Sequence, residues 1–244
     1  MSAMAEFLLI RLDGPLQAWG DVALDARRPT HSFPTRSAIA GLIASALGWR
    51  YRDGARTTRL QDSLCVAVRE DRAPVRLNDY QTVDLGRETS SWTRWAVEGR
   101  GGAFSTGTHI LDKEYLANAS FVAALTLGSD SPVDLDEVER ALRQPARPIF
   151  LGRKSCLPAL PLFEGRVEAE TPYDALRWAK LPEIHEDLPL RCWYEPGDGP
   201  DIDVWIHGIR VADRRDFLSD RFSGERIILQ GTIRPFTSEM EEVR

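Results

Sequence analysis

Cysteine and histidine are scarce in this chain of 244 residues, which has three of the former and four of the latter. No two of them stand at the short spacings by which proteins bind a metal ion, so we expect no metal site. The three cysteines, at positions 65, 156 and 192, are too few and too far apart for a disulfide framework. This usage favours an intracellular protein, and we expect a cytoplasmic location.

Long apolar runs are missing as well. No stretch reaches the roughly 18 consecutive apolar residues that predict a membrane span. No basic segment precedes the apolar residues near the N-terminus, as a signal peptide would require. The G-x-S-x-G motif of a hydrolase and the G-x-x-x-x-G-K-[ST] phosphate loop do not occur. We therefore expect neither membrane attachment nor a cofactor.

Positive charge is concentrated in two segments of a chain whose net charge is −6. Residues 27–59 contain seven arginines and a single acid, and residues 140–154 contain four arginines, one lysine and no acid. Residues 157–244 are acidic, with 11 cationic and 18 anionic side chains. Two basic clusters are typical of a protein that grips phosphates at one place. The alternative is chance clustering on solvated surfaces.

Residues 36–47 have the apolar periodicity of an amphipathic helix. Thr35 is a plausible N-cap and Gly48 a plausible C-terminal stop. The free amides of the first helical turn, with Arg27, Arg28 and Arg36 nearby in sequence, predict a site for an anion such as a phosphate. The alternative is a core helix preceded by a solvated basic loop. The predicted apolar side chains are Ile39, Leu42, Ile43, Ala46 and Leu47.

The pattern of the remaining segments predicts an α+β fold with a ferredoxin-like β-α-β-β-α-β core. Its predicted strands are residues 6–13, 63–69, 120–127 and 162–167, with 75–83 as a possible continuation of the second. We expect Gly14-Pro15 to end the first strand, residues 50–59 to form a loop, and Asp130-Ser131-Pro132 to open the second helix with Ser131 as its cap. The core would span residues 1–170. Residues 171–244 would form a small antiparallel β-unit with a short helix at 171–180 and strands at 188–195, 201–206 and 226–233.

Residues 84–114 interrupt the core with a long segment that lacks apolar periodicity. Glycine is interleaved there with basic and aromatic residues, among them Trp92, Arg94 and Trp95. Long loops inside a domain are usually functional or disordered, and this composition suits stacking on single-stranded nucleic acid. The alternative is an insertion whose tryptophans pack back onto the core.

General acid–base chemistry without a metal is conceivable for one set of residues. A metal-independent ribonuclease places a histidine and a lysine or tyrosine near a ribose hydroxyl and its phosphate. His31 lies in the basic loop, and His109 and Lys113 lie near the end of the long insertion. The alternative is that these are surface or structural residues.

Several motifs together resemble the CasD family of CRISPR Cascade subunits. They are LDGPLQAWG at 12–20, RPT at 28–30, FPTRS at 33–37 with Gly41-Leu42, DYQTV at 79–83, Tyr115-Leu116 with Ala119-Ser120-Phe121, and LGRKSC at 151–156. They occur in the family's order through the N-terminal and middle parts of the chain. In that family, the protein caps the 5′ handle of the guide RNA (crRNA) in the type I-E complex.

The resemblance implies a non-catalytic RNA-binding subunit whose residues 84–114 form a thumb over the guide. Gly152-Arg153-Lys154 would be the glycine-rich loop of the superfamily. The implied partners are the crRNA, the backbone subunit CasC, the large subunit CasA and, indirectly, target DNA. The residues that we expect to contact RNA are Arg27, Arg28, Thr30, Phe33, Thr35, Arg36, Ser37, Tyr80, Gln81, Trp92, Arg94, Trp95, His109, Gly152, Arg153 and Lys154.

Two other functions stay open on the sequence. A related subtype uses its version of this protein as the nuclease that processes repeat RNA, with tyrosine, lysine and histidine in catalysis. The alternative function is thus a metal-independent endoribonuclease with His31, His109 or Lys113 in its site. The other is a structural module that binds only protein.

Overall fold

The computed structural model describes residues 4–23, 26–84, 108–181, 189–201, 206–219 and 221–236. Its strands are Ala5–Gln17 (β1), Trp19–Gly20 (β2), Arg27–Arg28 (β3), Thr30–His31 (β4), Leu64–Arg72 (β5), Val75–Asp84 (β6), Thr108–Leu127 (β7), Phe163–Ala169 (β8), Leu190–Tyr194 (β9), His207–Asp216 (β10) and Arg221–Ile233 (β11). Its α-helices are Arg36–Ala46 (α1), Gly54–Ser63 (α2), Leu135–Arg143 (α3) and Pro172–Arg177 (α4), and Tyr51–Asp53 forms a 3-10 turn.

One large sheet organises these elements, with its main strands in the order β10-β11-β9-β5-β7-β1-β8. All neighbours along this path are antiparallel. The N-terminal half of the long strand β7 extends beyond its pairing with β1 and β5. There it pairs with β6 in antiparallel and with β3 in parallel orientation. The chain is therefore a mixed α/β protein built on a mostly antiparallel sheet.

Apolar side chains cover both faces of this sheet. Leu8 and Ile10 of β1 pack with Ile39 and Ile43 of α1 in the larger core cluster. Phe7 and Leu9, which alternate with them, pack in a second cluster on the opposite face with α4. The alternation predicted for residues 121–127 is confirmed, since Phe121, Ala123 and Leu125 join the first cluster and Val122 and Ala124 join the second.

Helix α1 has the caps that its sequence predicts. Thr35 is the N-cap, and its hydroxyl accepts a hydrogen bond from the Ala38 amide at 3.4 Å. Gly48 follows the helix with a φ of +76°, a left-handed conformation that glycine adopts without steric cost. The apolar side of the helix is buried, so the predicted orientation of α1 is confirmed.

The prediction that Gly14-Pro15 ends the first strand is wrong, because β1 continues to Gln17. Gly14 and Leu16 pair with Ala119 and Ala117 of β7. The pairing of β1 with β8 already ends at Ile10, so the missing amide of Pro15 interrupts no ladder at that edge.

Two further predictions, of a loop at residues 50–59 and of Ser131 as a helix cap, are wrong. The arginine-rich segment 50–59 is not a loop but contains most of α2, which buries a single large apolar residue, Leu60. Gln61 supplies its other anchor by hydrogen-bonding the backbone of Arg215. Helix α3 begins at Leu135 with Asp134 as its cap, and not at Ser131. The Ser131 hydroxyl instead donates to the carbonyl of Val133.

The C-terminal strands lengthen the main sheet, since β9 pairs with β5 and then with β11. Strand β10, which the sequence did not predict, forms the sheet's edge. The short helix α4 is present with Thr171 as its cap. The predicted strand 201–206 falls largely outside the described residues. The division into two units at residue 170 stays a prediction.

Candidate nucleic-acid interface

Six cationic side chains gather at the end of the sheet where β7 extends beyond the core, and we call them the basic strip. They lie on both faces of this end, because Lys113 and Glu114, the partner of Arg27 and Arg76, are neighbours along β7. Strand β3 lies along β7 so that Arg27 aligns with Asp112 and Arg28 with Lys113. Strand β6 lies in the same part of the sheet, where it pairs with residues 108–117 of β7. The six side chains are Arg27, Arg28, Arg76, Lys113, Arg153 and Lys154.

Glu114 lies at the centre of the strip and is shared by two arginines. Its Oε1 accepts from Arg27 at 2.5 Å and its Oε2 accepts from Arg76 at 3.1 Å. Burial opposes ionisation of this carboxyl, but the hydrogen bond and charge of Arg27, aided by Arg76, outweigh it and lower the pKa of Glu114. One carboxylate thus holds two exposed guanidinium groups and neutralises only one of them.

Lys113 is held in place by β6. Its ammonium donates to Gln81 Oε1 at 2.6 Å, and Gln81 donates in turn to Asp79. Tyr80, next along the strand, is 65% exposed. The predicted residue Gln81 therefore lies beside Lys113 of β7, whereas Tyr80, its neighbour along β6, points to the opposite face with its ring open to solvent.

Arg153 ties the Gly152 turn to the strip. Its guanidinium donates to the carbonyls of Glu114 at 2.6 Å and Arg28 at 2.8 Å, and it lies 4.6 Å from the centre of the Tyr115 ring. Lys154 beside it is exposed. The structure thus brings the two basic segments of the sequence together, since Arg27 and Arg28 belong to one and Arg153 and Lys154 to the other.

Gly152 is a positional requirement of this turn. Its φ is +96°, and a Cβ atom there would lie 1.8 Å from the carbonyl oxygen of Ala18. The neighbouring Leu151 carbonyl accepts from the Ala18 amide at 3.0 Å. Glycine therefore lets this turn pack closely against the chain's own backbone just after β1. This packing positions Arg153 against the strip.

Four predicted contact residues are buried and serve the fold. Thr30 accepts from the Trp19 amide at 2.7 Å, and Phe33 stacks on Trp193 with ring centres 4.8 Å apart. Thr35 caps α1, and Ser37 is 6% exposed at the edge of a cleft that Arg153 also lines. The side chains of Thr30, Phe33 and Thr35 position the loop and helix rather than project from them.

Arg36 lies in a separate ion-pair network. Its guanidinium donates to Glu195 at 3.0 Å, and its amide donates to Asp213 at 2.9 Å. Arg226 pairs with both of these carboxylates. Burial, and then the nearby charge of Arg226, lower the pKa of Arg36. The anion at the N-terminus of α1 in this structure is thus a carboxylate of the same chain, and phosphate binding there stays a prediction.

The residues of the alternative, enzymatic reading are only partly described. His31 lies 3.4 Å from Asp21, and burial lowers its pKa, which favours the neutral imidazole. Lys113 is engaged with Gln81. The side chain of His109 lies outside the described part of the chain, as do Trp92, Arg94, Trp95 and the rest of residues 85–107.

Sequence reasoning missed Arg76 and Glu114. A signal existed for Arg76, because it falls in a strand-like segment close to the quoted DYQTV motif. Nothing local marks Glu114 as the partner of arginines 87 and 38 residues away. In the described residues, no group of three or more His, Cys, Asp or Glu side chains is arranged to hold a metal ion. No helix among them is long and apolar enough to cross a membrane.

The fold places this chain in the class of mixed α/β proteins that are built on one mostly antiparallel sheet. Residues 7–221 match the family described as CRISPR-associated protein (Cas_Cas5), and the chain belongs to that family. It is 36% identical over 173 residues, or 71% of its length, to the CRISPR system Cascade subunit CasD of Escherichia coli strain K12. The match covers 76% of that relative. The resemblance that the sequence motifs predict is therefore confirmed.

Two solved structures are similar over nearly the whole chain. One is a chain of a "CRISPR RNA-guided surveillance complex", with a TM-score of 0.64, 25% identity, and coverage of 94% of this chain and 90% of that one. The other is described as "Crystal structure of Cas protein", with a TM-score of 0.63, 27% identity, and coverage of 95% and 98%.

Proposed function

We propose that this protein is an RNA-binding subunit of a CRISPR Cascade complex that holds the 5′ handle of the crRNA. The observation that carries the proposal is the basic strip: six cations, four of them from the two basic segments, in a chain whose net charge is −6. The chain belongs to the Cas5 family and is similar to a Cascade subunit and to a chain of an RNA-guided surveillance complex. These similarities support RNA as the ligand of the strip.

The core of this protein is, on this proposal, ferredoxin-like. The strand order β8-β1-β7-β5, antiparallel throughout, supports it. Helix α1 lies between β1 and β5 in sequence, and α3 lies between β7 and β8. This is the β-α-β-β-α-β arrangement, with β6 and residues 85–107 inserted before the third core strand.

The exposed and half-buried members of the predicted set, apart from Arg36, are the direct RNA contacts. Arg27, Arg28, Arg153 and Lys154 bind phosphates, Tyr80 stacks on a base, and Gln81 contacts the RNA beside Lys113. The buried members act through position: Thr30, Phe33, Thr35 and Arg36 fix the segment from β4 to α1, and Gly152 seats Arg153. Ser37 borders the cleft beside that turn. Trp92, Arg94, Trp95 and His109 complete the contact from the thumb.

The protein holds RNA without cutting it. The lysine of the enzymatic alternative is occupied by Gln81, and His31 is buried beside Asp21. The acidic C-terminal third faces protein, and we assign CasC and CasA as the neighbouring subunits, with target DNA reached indirectly through the complex.

Co-purification of the full chain with its neighbouring subunits, followed by sequencing of the retained RNA, tests this function. We expect one dominant 5′ end, located in the repeat. The double variant Arg28→Gln/Lys154→Gln should reduce the RNA retained. Arg59→Gln/Arg140→Gln removes the same charge from exposed positions outside the strip and should leave the amount of retained RNA unchanged.

Two results would contradict the proposal. A complex that assembles without RNA would indicate a purely structural module. Cleavage of repeat RNA by the purified chain in EDTA, lost on His31→Ala or Lys113→Ala, would establish the endoribonuclease alternative.

A further inference from the structure

A groove runs along the solvent side of α1, from the Gly152 turn to the C-terminal end of the helix. It consists of two adjoining cavities of about 360 and 330 Å³. They share Gly41, Ser45, Arg215 and Phe217 as lining residues. From Ser37 to Trp49 the helix and its terminal turn measure about 18 Å at 1.5 Å per residue, which is room for a segment of an extended polymer.

The described residues that line this groove include four arginines and no aspartate or glutamate. Arg153 stands at the end near the strip, Arg215 in the middle, and Arg50 and Arg147 at the far end. A lining of one charge sign is unusual in a chain of net charge −6. It makes the groove electrostatically complementary to a polyanion.

Aromatic rings alternate with these cations. The Arg215 guanidinium lies 5.8 Å from the ring centres of both Phe217 and Phe222. Trp49 and Tyr51 line the far end, and the Tyr51 side chain is among the most exposed large apolar groups, at 71%. Aromatic faces interleaved with arginines are the features by which proteins bind single-stranded nucleic acid without reading its sequence.

The groove adjoins the basic strip at Arg153, which belongs to both. Its guanidinium binds the backbone of β3 and β7, while its residue also lines the groove beside Gly152. The next arginine that lines the same cavity is Arg215. The helix side that a bound strand would cross carries small residues, since Ser37, Ala38, Gly41 and Ser45 all line the groove.

We propose that this groove holds a single-stranded segment of the crRNA adjacent to the segment bound at the strip. Its phosphates pair with Arg215, Arg50 and Arg147, and its bases stack on Phe222 near the strip and on Tyr51 at the far end. This inference rests on the proposed function and adds to it a second, sequence-tolerant contact region beside the strip.

The electrostatic test uses the full chain and the RNA recovered from the purified complex, with binding measured by fluorescence anisotropy over a range of salt concentrations. The slope of log K against log salt is negative, and Arg50→Gln/Arg147→Gln should make it shallower by about 1.4, since each single-strand phosphate contact contributes about 0.7. Arg59→Gln/Arg140→Gln, with the same change of charge outside the groove, should leave that slope unchanged.

The stacking test replaces Phe222. Phe222→Leu keeps an apolar side chain but removes the ring, and it should weaken binding at least about fivefold. Phe222→Trp should restore or exceed wild-type affinity. Ultraviolet crosslinking of the same RNA should yield peptides that contain Tyr51 or Phe222.

The outcomes separate the inference from the function on which it rests. Wild-type affinity and salt slope in the groove variants, with strip variants still impaired, would overturn the groove and leave the function standing. Groove variants that keep RNA but lose a subunit of the complex would assign the groove to protein and overturn the inference. A wild-type complex without RNA would overturn both.

Discussion

Arginine has opposite uses in two regions of this molecule, the sheet interior beneath α4 and the basic strip. In the interior, Arg69 is fully buried and pairs with Asp71, which also pairs with Arg11. Arg69 donates its remaining hydrogen bonds to the carbonyls of Leu176, Ala179 and Lys180. Arg11 pairs in addition with Glu164, so two cations meet two anions.

In the strip the balance differs. Glu114 serves both Arg27 and Arg76, whose side chains are 68% and 54% exposed. Ion pairs in the interior match cations with anions, whereas the six cations of the strip outnumber the carboxylates that the register of β3 and β6 places among them, which are Asp79, Asp112 and Glu114. The comparison teaches that such an excess, rather than the number of arginines, indicates where an external anion binds.

The largest expected effect lies in the interior. Arg69→Ala would remove one partner of the buried Asp71 and a donor to three carbonyls, and we expect it to lower the free energy of unfolding by about 3–5 kcal/mol. Urea denaturation measures this. Arg27→Ala is the matched surface control and should not shift the midpoint. Equal midpoints for the two variants would remove the distinction between the regions.

Arg36 is an intermediate case. Arg36→Ala removes its bond to Glu195, but Arg226 still pairs with that carboxylate, so we expect a loss of about 1–2 kcal/mol of stability. RNA affinity should change little once the protein is folded. An affinity loss with unchanged stability would show that Arg36 contacts phosphate directly, as its sequence position first suggests.

Glu114→Gln should increase the positive charge that the strip offers to RNA. Removal of its charge frees Arg27 and Arg76 for phosphates, and we expect RNA binding to tighten about two- to fivefold at low salt. Asp62→Asn, whose carboxylate pairs with Arg214 away from the strip, is the control. Weaker binding by Glu114→Gln would mean that Glu114 is needed to orient the arginines.

The smallest effect concerns His31, which senses the charges of Asp213 and of Arg76 in the strip. Burial depresses its pKa below the ordinary 6.5, so the unfolded chain takes up a proton at a higher pH than the folded one. The free energy of unfolding should therefore fall as pH decreases below about 6.5. His31→Gln should make that decrease shallower in urea titrations, and a steeper decrease would reverse the assignment.

The sequence predicts well what local periodicity and capping determine. Helix α1 could be read from Thr35, Gly48 and the apolar spacing between them, and the core half of β7 from alternation alone. Helix α2 could not, because its one large buried apolar residue, Leu60, makes no visible period and Gln61 anchors it through β10. Strand β10 carried a weak signal in the alternation of Ile209 and Val211.

The site was harder, because its contacts join distant residues. The two basic segments were visible, but nothing local distinguishes Arg28, which lies in the strip, from Arg36, whose partners Glu195 and Asp213 are 159 and 177 positions away. The sequence assigns Gly152 to a glycine-rich loop, and glycine permits a close backbone approach. Only the fold identifies Ala18 as the group approached.

Strand β7 runs from the strip into the core, so core packing fixes which of its charged side chains face each side of the strip. Its successive residues Asp112, Lys113 and Glu114 alternate in sign, and neighbours along a strand point to opposite faces. Displacement by one position would exchange a lysine for carboxylates and turn an attractive surface into a repulsive one. Burial of residues 121–125 on both sides prevents that displacement. A deletion near Asn118 would therefore exchange the faces of Lys113 and Glu114 and also displace the buried Tyr115 and Leu116, so it should weaken RNA binding and lower stability together.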